Sequence, residues 1–191
     1  MPNWCSTSYR IEGNPETLKK IYDAITHHDV QEDSSENWEG NVLISLGITW
    51  QDRTSDVEGG KYLRGFIQEE PSLGEDVLEF YAEEAWGVSD FGEILEENFP
   101  DIKVYFCGEE PNMEYFVTND STGKYFHCRA IVDCCINNEY YYEEFNSIEA
   151  AYQWIYDKTS CKTIEDIENF GTDPDDTSDN FINIYEYKIV K

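Results

Sequence analysis

The sequence predicts an α+β fold: an antiparallel sheet covered on one face by two helices, followed by a C-terminal extension of further strands and helix. Three observations lead there. An alternating opening strand runs through Asn14-Pro15 into an amphipathic helix, two aromatic and β-branched segments flank a Pro/Gly turn, and a second amphipathic helix is closed by Pro100 ahead of another strand.

Element by element, "WCSTSYRIEG" alternates as a strand should. In "NPETLKKIYDAITHH" Asn14 offers an N-cap and Pro15 the first helical position, and Leu18, Ile21, Tyr22 and Ile25 recur at helical spacing along one face. Residues 29–59 are polar and Gly-containing around a short apolar island, "NVLISLGITW", and read as a connecting segment with one helical turn. "GGKYLRGFIQEE" and "GEDVLEFYAEEAW" are then strands on either side of a turn at Pro71 to Gly74. "SDFGEILEENFP" supplies the second helix, with Phe91, Ile94, Leu95 and Phe99 as its apolar face, and "DIKVYFCGEEP" the next strand. The β-α-β-β-α-β order over residues 1–118 is the split βαβ, or ferredoxin-like, plan. Residues 119–191 are expected to form a β-rich extension with one or two helices, packed on the first part as a single unit. Turn signals at Asn119 to Gly123 and at Asn137-Asn138 separate its strands, Asn146 with Glu149 caps "SIEAAYQWIYDK", and the acidic "GTDPDDTSDN" precedes a last strand, "INIYEYKIV".

At 191 residues, 40% hydrophobic and 15% aromatic, the chain can fill a core, which excludes global disorder. Its 41 acidic and 13 basic residues give a net charge of -28, which disfavours direct binding to nucleic acid or to an anionic membrane, since both need cationic patches. Salt adaptation does not fit six Cys, 14 Tyr and 10 Phe. The opening "MPNWCSTSYRIEG" has no basic region followed by an apolar one, and no window approaches the roughly 18 apolar residues of a membrane span, so a cytoplasmic location is expected. Cys5, Cys107, Cys128, Cys134, Cys135 and Cys161 lack the spacing of a disulfide framework and are expected to be reduced, small, buried side chains.

The charge is unevenly spread. Residues 1–64 hold 11 acidic and 6 basic side chains, residues 65–123 hold 16 acidic against Lys103 alone, and residues 124–191 hold 14 against 6. Glu69, Glu70, Glu75, Asp76, Glu79 and Glu83 on the central hairpin join Glu93, Glu96 and Glu97 on the second helix and Glu109, Glu110 and Glu114 beyond it. Clustering of this kind destabilises the compact state by self-repulsion. If it forms one surface, stability should rise toward acid pH and with added salt.

Other constellations are weaker. Alternation in "VLEFYAEEAW" turns Glu79 and Glu83 to solvent and Glu84 inward beside Trp86, where the expected role is a strand-end carboxylate reaching water or a backbone N–H. His27-His28 ends a helix and complements its dipole. His127-Cys128 with Cys134-Cys135 has no C-x-x-C spacing for zinc. Asp173, Asp175, Thr177 and Asp179 alternate as calcium ligands would, but the loop lacks the sixth-position Gly and twelfth-position Glu of an EF-hand and reads as an exposed acidic loop. No phosphate loop, dinucleotide fingerprint or nucleophile elbow occurs, so no catalytic residue, metal or cofactor is predicted.

The opening "MPNWC" running into a strand and Gly13, then "EEAW", a helix ending "ENFPDIKVYF" and "GEEPNM" together resemble the YubB-like family of ferredoxin-like proteins of plasmids, phages and gut bacteria, over roughly residues 1–118. "GVSDF" after the Trp departs from the family's Ser-Pro-Pro. The resemblance implies a fold and a mobile-element setting, and no reaction.

Three functions follow as expectations. The first is a non-enzymatic inhibitor whose carboxylates imitate nucleic-acid phosphates and occupy the basic groove of a host protein such as a CRISPR effector. The second is an accessory module that binds a protein through aromatics, with Tyr140 and Tyr142 of "EYYYEEF" exposed. The third, an enzyme or metal-binding protein, would have only Glu84, His127-Cys128 and Asp133 as raw material.

Overall fold

Along β1 (Trp4–Gly13) the inward residues Cys5, Thr7, Tyr9 and Ile11 are buried, and the intervening Ser6, Ser8 and Arg10 are half-buried on the opposite face. A computed structural model of the chain describes residues 3–27, 35, 37–53, 59–171 and 180–191. They form an α+β structure of mostly antiparallel sheet with several helices, in two units: Met1–Asp120 with Val190–Lys191, and Ser121–Ile189.

In the first unit α1 (Pro15–Thr26) follows β1, its first turn fixed by the Asn14 side chain, which accepts the Glu16 N–H at 2.9 Å. A second helix, α2 (Glu39–Ser45), precedes β2 (Gly65–Ile67), β3 (Ser72–Leu73) and β4 (Val77–Ala85); α3 (Phe91–Asn98), β5 (Ile102–Glu110) and β6 (Tyr115–Thr118) follow. The strands are ordered β6-β5-β1-β4-β2, with β3 also on β4. β1 is central and antiparallel to both β4, with Cys5 opposite Glu84, and β5, with Tyr9 opposite Phe106. The core lies on the inward face: Tyr9, Ile11, Leu78 and Phe80 from the strands meet Leu18 and Ile21 of α1, Val42 and Leu43 of α2, and Phe91, Ile94 and Leu95 of α3.

Three local expectations need correction here. The hairpin's first strand is only three residues, because Lys61 and Tyr62 send their N–H groups to the Gln51 carbonyl (2.8 Å) and the Asp90 carboxylate (2.5 Å) instead of to a ladder. The connecting segment holds a helix of seven residues whose buried members include the polar Glu39 and Asn41. Glu110 faces inward with Ile102, Val104 and Gly108, and is 5% exposed.

In the second unit β7 (Ala130–Ile136) pairs antiparallel with both β8 (Glu139–Phe145) and β9 (Phe181–Glu186). Asn137 and Asn138 both have positive φ (54° and 64°), the twist that a two-residue hairpin requires and that Asn tolerates. Ala151 and Ile155 of α4 (Ile148–Lys158) pack on Ala130, Val132, Cys134 and Ile136. The cap of α4 is Ser147, not Asn146: its Oγ accepts the Ala150 N–H at 3.1 Å. Ser147→Ala is therefore expected to cost about 1 kcal/mol and Asn146→Ala less than about 0.5 kcal/mol in urea melts; equal losses would return the cap to Asn146. A short helix, α5 (Ile164–Glu168), was not legible, as five residues show no helical period; a capping box between Thr163 and Asp166 starts it.

Candidate functional site

The structure separates the twelve carboxylates singled out in the acidic segment. Glu79 and Glu83 point outward from β4, away from the helices: Glu79 lies 3.4 Å from Arg10, and Glu83 accepts from Ser6 (3.0 Å) and Tyr81 (2.6 Å). Glu109 is half-buried on the outward side of β5. Glu93, Glu96 and Glu97 belong to α3, on the inward side. Glu93 and Glu97 bracket Lys61 at 2.8 and 2.7 Å, and Glu96 takes Lys103 (2.9 Å) and the Val104 N–H (2.7 Å). Glu110 is buried, and Glu114 is exposed at φ 51° after a single tight turn. The remaining four, Glu69, Glu70, Glu75 and Asp76, are all exposed on the connection between β2 and β4 and form no ion pair among the described residues. The segment is thus not one continuous carboxylate surface. Among the described residues, its exposed members without an ion pair are the run from 69 to 76 and Glu114.

Tyr140 and Tyr142 lie on β8, an edge strand of the second unit, 64% and 47% exposed. A hydrogen bond to Asp133 holds the Tyr140 pKa above its ordinary value. His27 is the C-cap of α1, with its ring nitrogen 2.6 Å from Thr26 Oγ1; His28 and the Asp173 to Asp179 loop fall outside the described residues. Cys134 is buried and pushed up to about 11 by that burial, whereas its neighbour Cys135 points the other way, and Cys128 donates to the Ala130 carbonyl at 3.4 Å. No three His, Cys, Asp or Glu side chains converge to hold a metal ion among the described residues. Nor is any helix among them long and apolar enough to cross a membrane.

Glu84 departs most from expectation. It is 0% exposed and does not reach water: Tyr9 donates to its Oε1 at 2.7 Å and Thr7 to its Oε2. The β1–β4 register produces this, because Cys5, Thr7 and Tyr9 share the inward face with Glu84 on the neighbouring strand. A second carboxyl, Glu39 at the first position of α2, is also 0% exposed. Its Oε2 accepts from Ser89 at 2.9 Å, and its carboxyl group lies against Gly65, the residue opposite Glu84 in the β2–β4 register. Gly65 is the residue that leaves room, since a Cβ there would overlap the Glu39 carboxyl group.

As a carboxylate, Glu39 would leave its buried Oε1 without a partner. As an acid it has a donor to offer Glu84. Burial first, and then repulsion from Glu84, push its pKa well above the usual carboxylate range, so Glu39 keeps its proton. The same burial raises the Tyr9 hydroxyl well above its ordinary value and the Cys5 thiol to about 12, so both stay neutral. Alternation had turned Glu84 inward. Glu39 gave no signal, because an acid in the first turn of a helix ordinarily faces solvent and complements the dipole. A fully enclosed pair touches no substrate. It can bind a proton, and it fastens α2 to β4.

Compared with protein-family models, with curated proteins and with solved structures, the chain matches none.

Proposed function

We propose that this is a non-enzymatic binding protein of a phage or mobile element, acting in the cytoplasm by presenting carboxylates in place of nucleic-acid phosphates to the basic groove of a host defence nuclease such as a CRISPR effector. The observation that carries this reading is the run Glu69, Glu70, Glu75 and Asp76, exposed and without ion pairs among the described residues, in a chain of net charge -28. Retaining uncompensated like charges on one short connection costs stability, and solubility alone does not call for their clustering. β4 contributes less: Glu79 and Glu83 are about 13 Å apart at strand rise, and both already have partners. The ferredoxin-like plan belongs to the same proposal. The order β5-β1-β4-β2, antiparallel throughout, with α1 after β1 and α3 between β4 and β5, supports it and with it the YubB-like resemblance.

The protein immobilised in host lysate at low salt should retain basic nucleic-acid-binding proteins, and added duplex DNA or salt should release them. Neutralising Glu69, Glu70, Glu75 and Asp76 together to Gln and Asn should reduce retention at least about tenfold, each lost phosphate mimic weakening the salt dependence. Retention of none, or retention indifferent to DNA, rejects the proposal. The second reading, an aromatic docking module, is favoured by the exposure of Tyr140 and Tyr142 on an edge strand. Loss of a partner with Tyr140→Ala and Tyr142→Ala, and not with the neutralised connection, would select it.

A further inference from the structure

Two carboxyl groups enclosed close together, Glu39 lying against Gly65 and Glu84 opposite Gly65 on the next strand, cannot both be charged at low cost with no compensating cation among the described residues. Neither Glu39 nor Glu84 forms an ion pair among the described residues. The surroundings are acids and neutral groups. β1 supplies Cys5, Thr7 and Tyr9, and the turn before α3 supplies Ser89. Glu110 of β5 and Tyr115 of β6 lie on the same side as Cys5, and Tyr62 ahead of β2 feels Glu84 and Glu110. Arg64 is exposed, stacked 5.7 Å from the Tyr62 ring and 5.5 Å from the Trp86 ring. Asp90 takes the Tyr62 N–H. Among the described residues, no Lys or Arg forms an ion pair with the two acids that could stand in for the proton.

We propose that Glu39 and Glu84 form a proton-operated latch: the shared proton holds α2 against β4, and its loss detaches α2 from the sheet. The asymmetry of the two elements decides which one moves. β4 is bonded to β1 in register from Glu12–Val77 to Trp4–Ala85 and cannot shift without opening the sheet. α2 has seven residues, well under the ~12–15 needed for a helix to persist alone, and its N-cap Trp38 makes no side-chain cap bond. Detachment would uncover the part of the inward face now covered by Val42 and Leu43.

The sign follows from linkage. A carboxyl whose folded pKa is raised contributes stability that is complete below its unfolded value, 4.5, and is lost as pH rises through the folded value. Across that window one proton is released on opening, so the opening equilibrium grows about tenfold per pH unit. Hydrogen exchange on the full chain reads this directly at the α2 amides that close onto the helix, Leu46 to the Val42 carbonyl (3.0 Å) and Ile48 to the Leu43 carbonyl (2.9 Å). Their protection factors, corrected for intrinsic rates, should fall about tenfold from pH 5.5 to 6.5 in the native chain and be flat in Glu39→Gln. The fall should persist in 1 M salt, where surface repulsion is screened within ~3 Å. Flat protection in the native chain, an equal slope in Glu39→Gln, or a slope abolished by salt overturns the proposal. Should Glu39→Gln fail to fold, calorimetry of the native chain in buffers of different ionisation enthalpy still decides: about one proton released on unfolding at pH 6.5 supports the latch, and none refutes it.

Discussion

Glu84→Ala is expected to lower the unfolding free energy by about 3–5 kcal/mol, a large share of the ~5–15 kcal/mol that holds a typical domain together. The substitution takes the acceptor from the Tyr9 and Thr7 hydroxyls, both enclosed where water cannot replace it. Each stranded buried donor costs about 1–3 kcal/mol, and the losses share one network and do not simply add. Glu84→Gln keeps the volume and one carbonyl acceptor and should cost distinctly less. Tyr9→Phe and Thr7→Val, which delete one donor each, should cost about 1 kcal/mol apiece. Urea melts with unchanged m-values are the measurement. An alanine variant within about 0.5 kcal/mol of the native chain would mean that the carboxyl is open to water.

Phe91→Ala should cost a similar amount, about 3–5 kcal/mol, by a different mechanism. Phe91 is the first residue of α3 and 0% exposed, edge-on to Tyr9 (6.4 Å) and to Phe80 (5.9 Å), which stack on each other at 4.7 Å. Truncation opens a cavity bounded by two rings that the sheet holds in place, so collapse is restricted and the lost contacts are not recovered. Phe99→Ala, at the half-buried end of the same helix, should cost less. If the two variants melt alike, the helix is anchored along its whole length and not through its first turn.

Much of the site's framework was legible because it depends on local period and punctuation. The faces of α1 and α3, the Pro100 stop, the inward side of β4 and the Asn137-Asn138 hairpin each follow from a few neighbouring residues and the geometry of one element. Where two local signals competed, the choice was lost. Asn146 and Ser147 are both good caps, and it is the Ser147 side chain that meets the Ala150 N–H. Lys61 and Tyr62 look strand-like, yet their N–H groups found partners on Gln51 and Asp90, distant in sequence.

The sequence by itself determined the α+β class, the amphipathic helices and the charge imbalance, because composition and periodicity are properties of the chain before it folds. The tertiary structure alone decided which acids are surface and which are interior. Alternation shows that Glu84 turns inward, but its burial depends on Glu39 arriving from another element, on Ser89 from a third, and on Gly65 leaving room. The same holds for the acidic segment. Twelve carboxylates close in sequence separate onto two sides of a sheet, the connections beside it and one interior position, since successive strand residues face opposite ways and only the paired sheet fixes what covers each side.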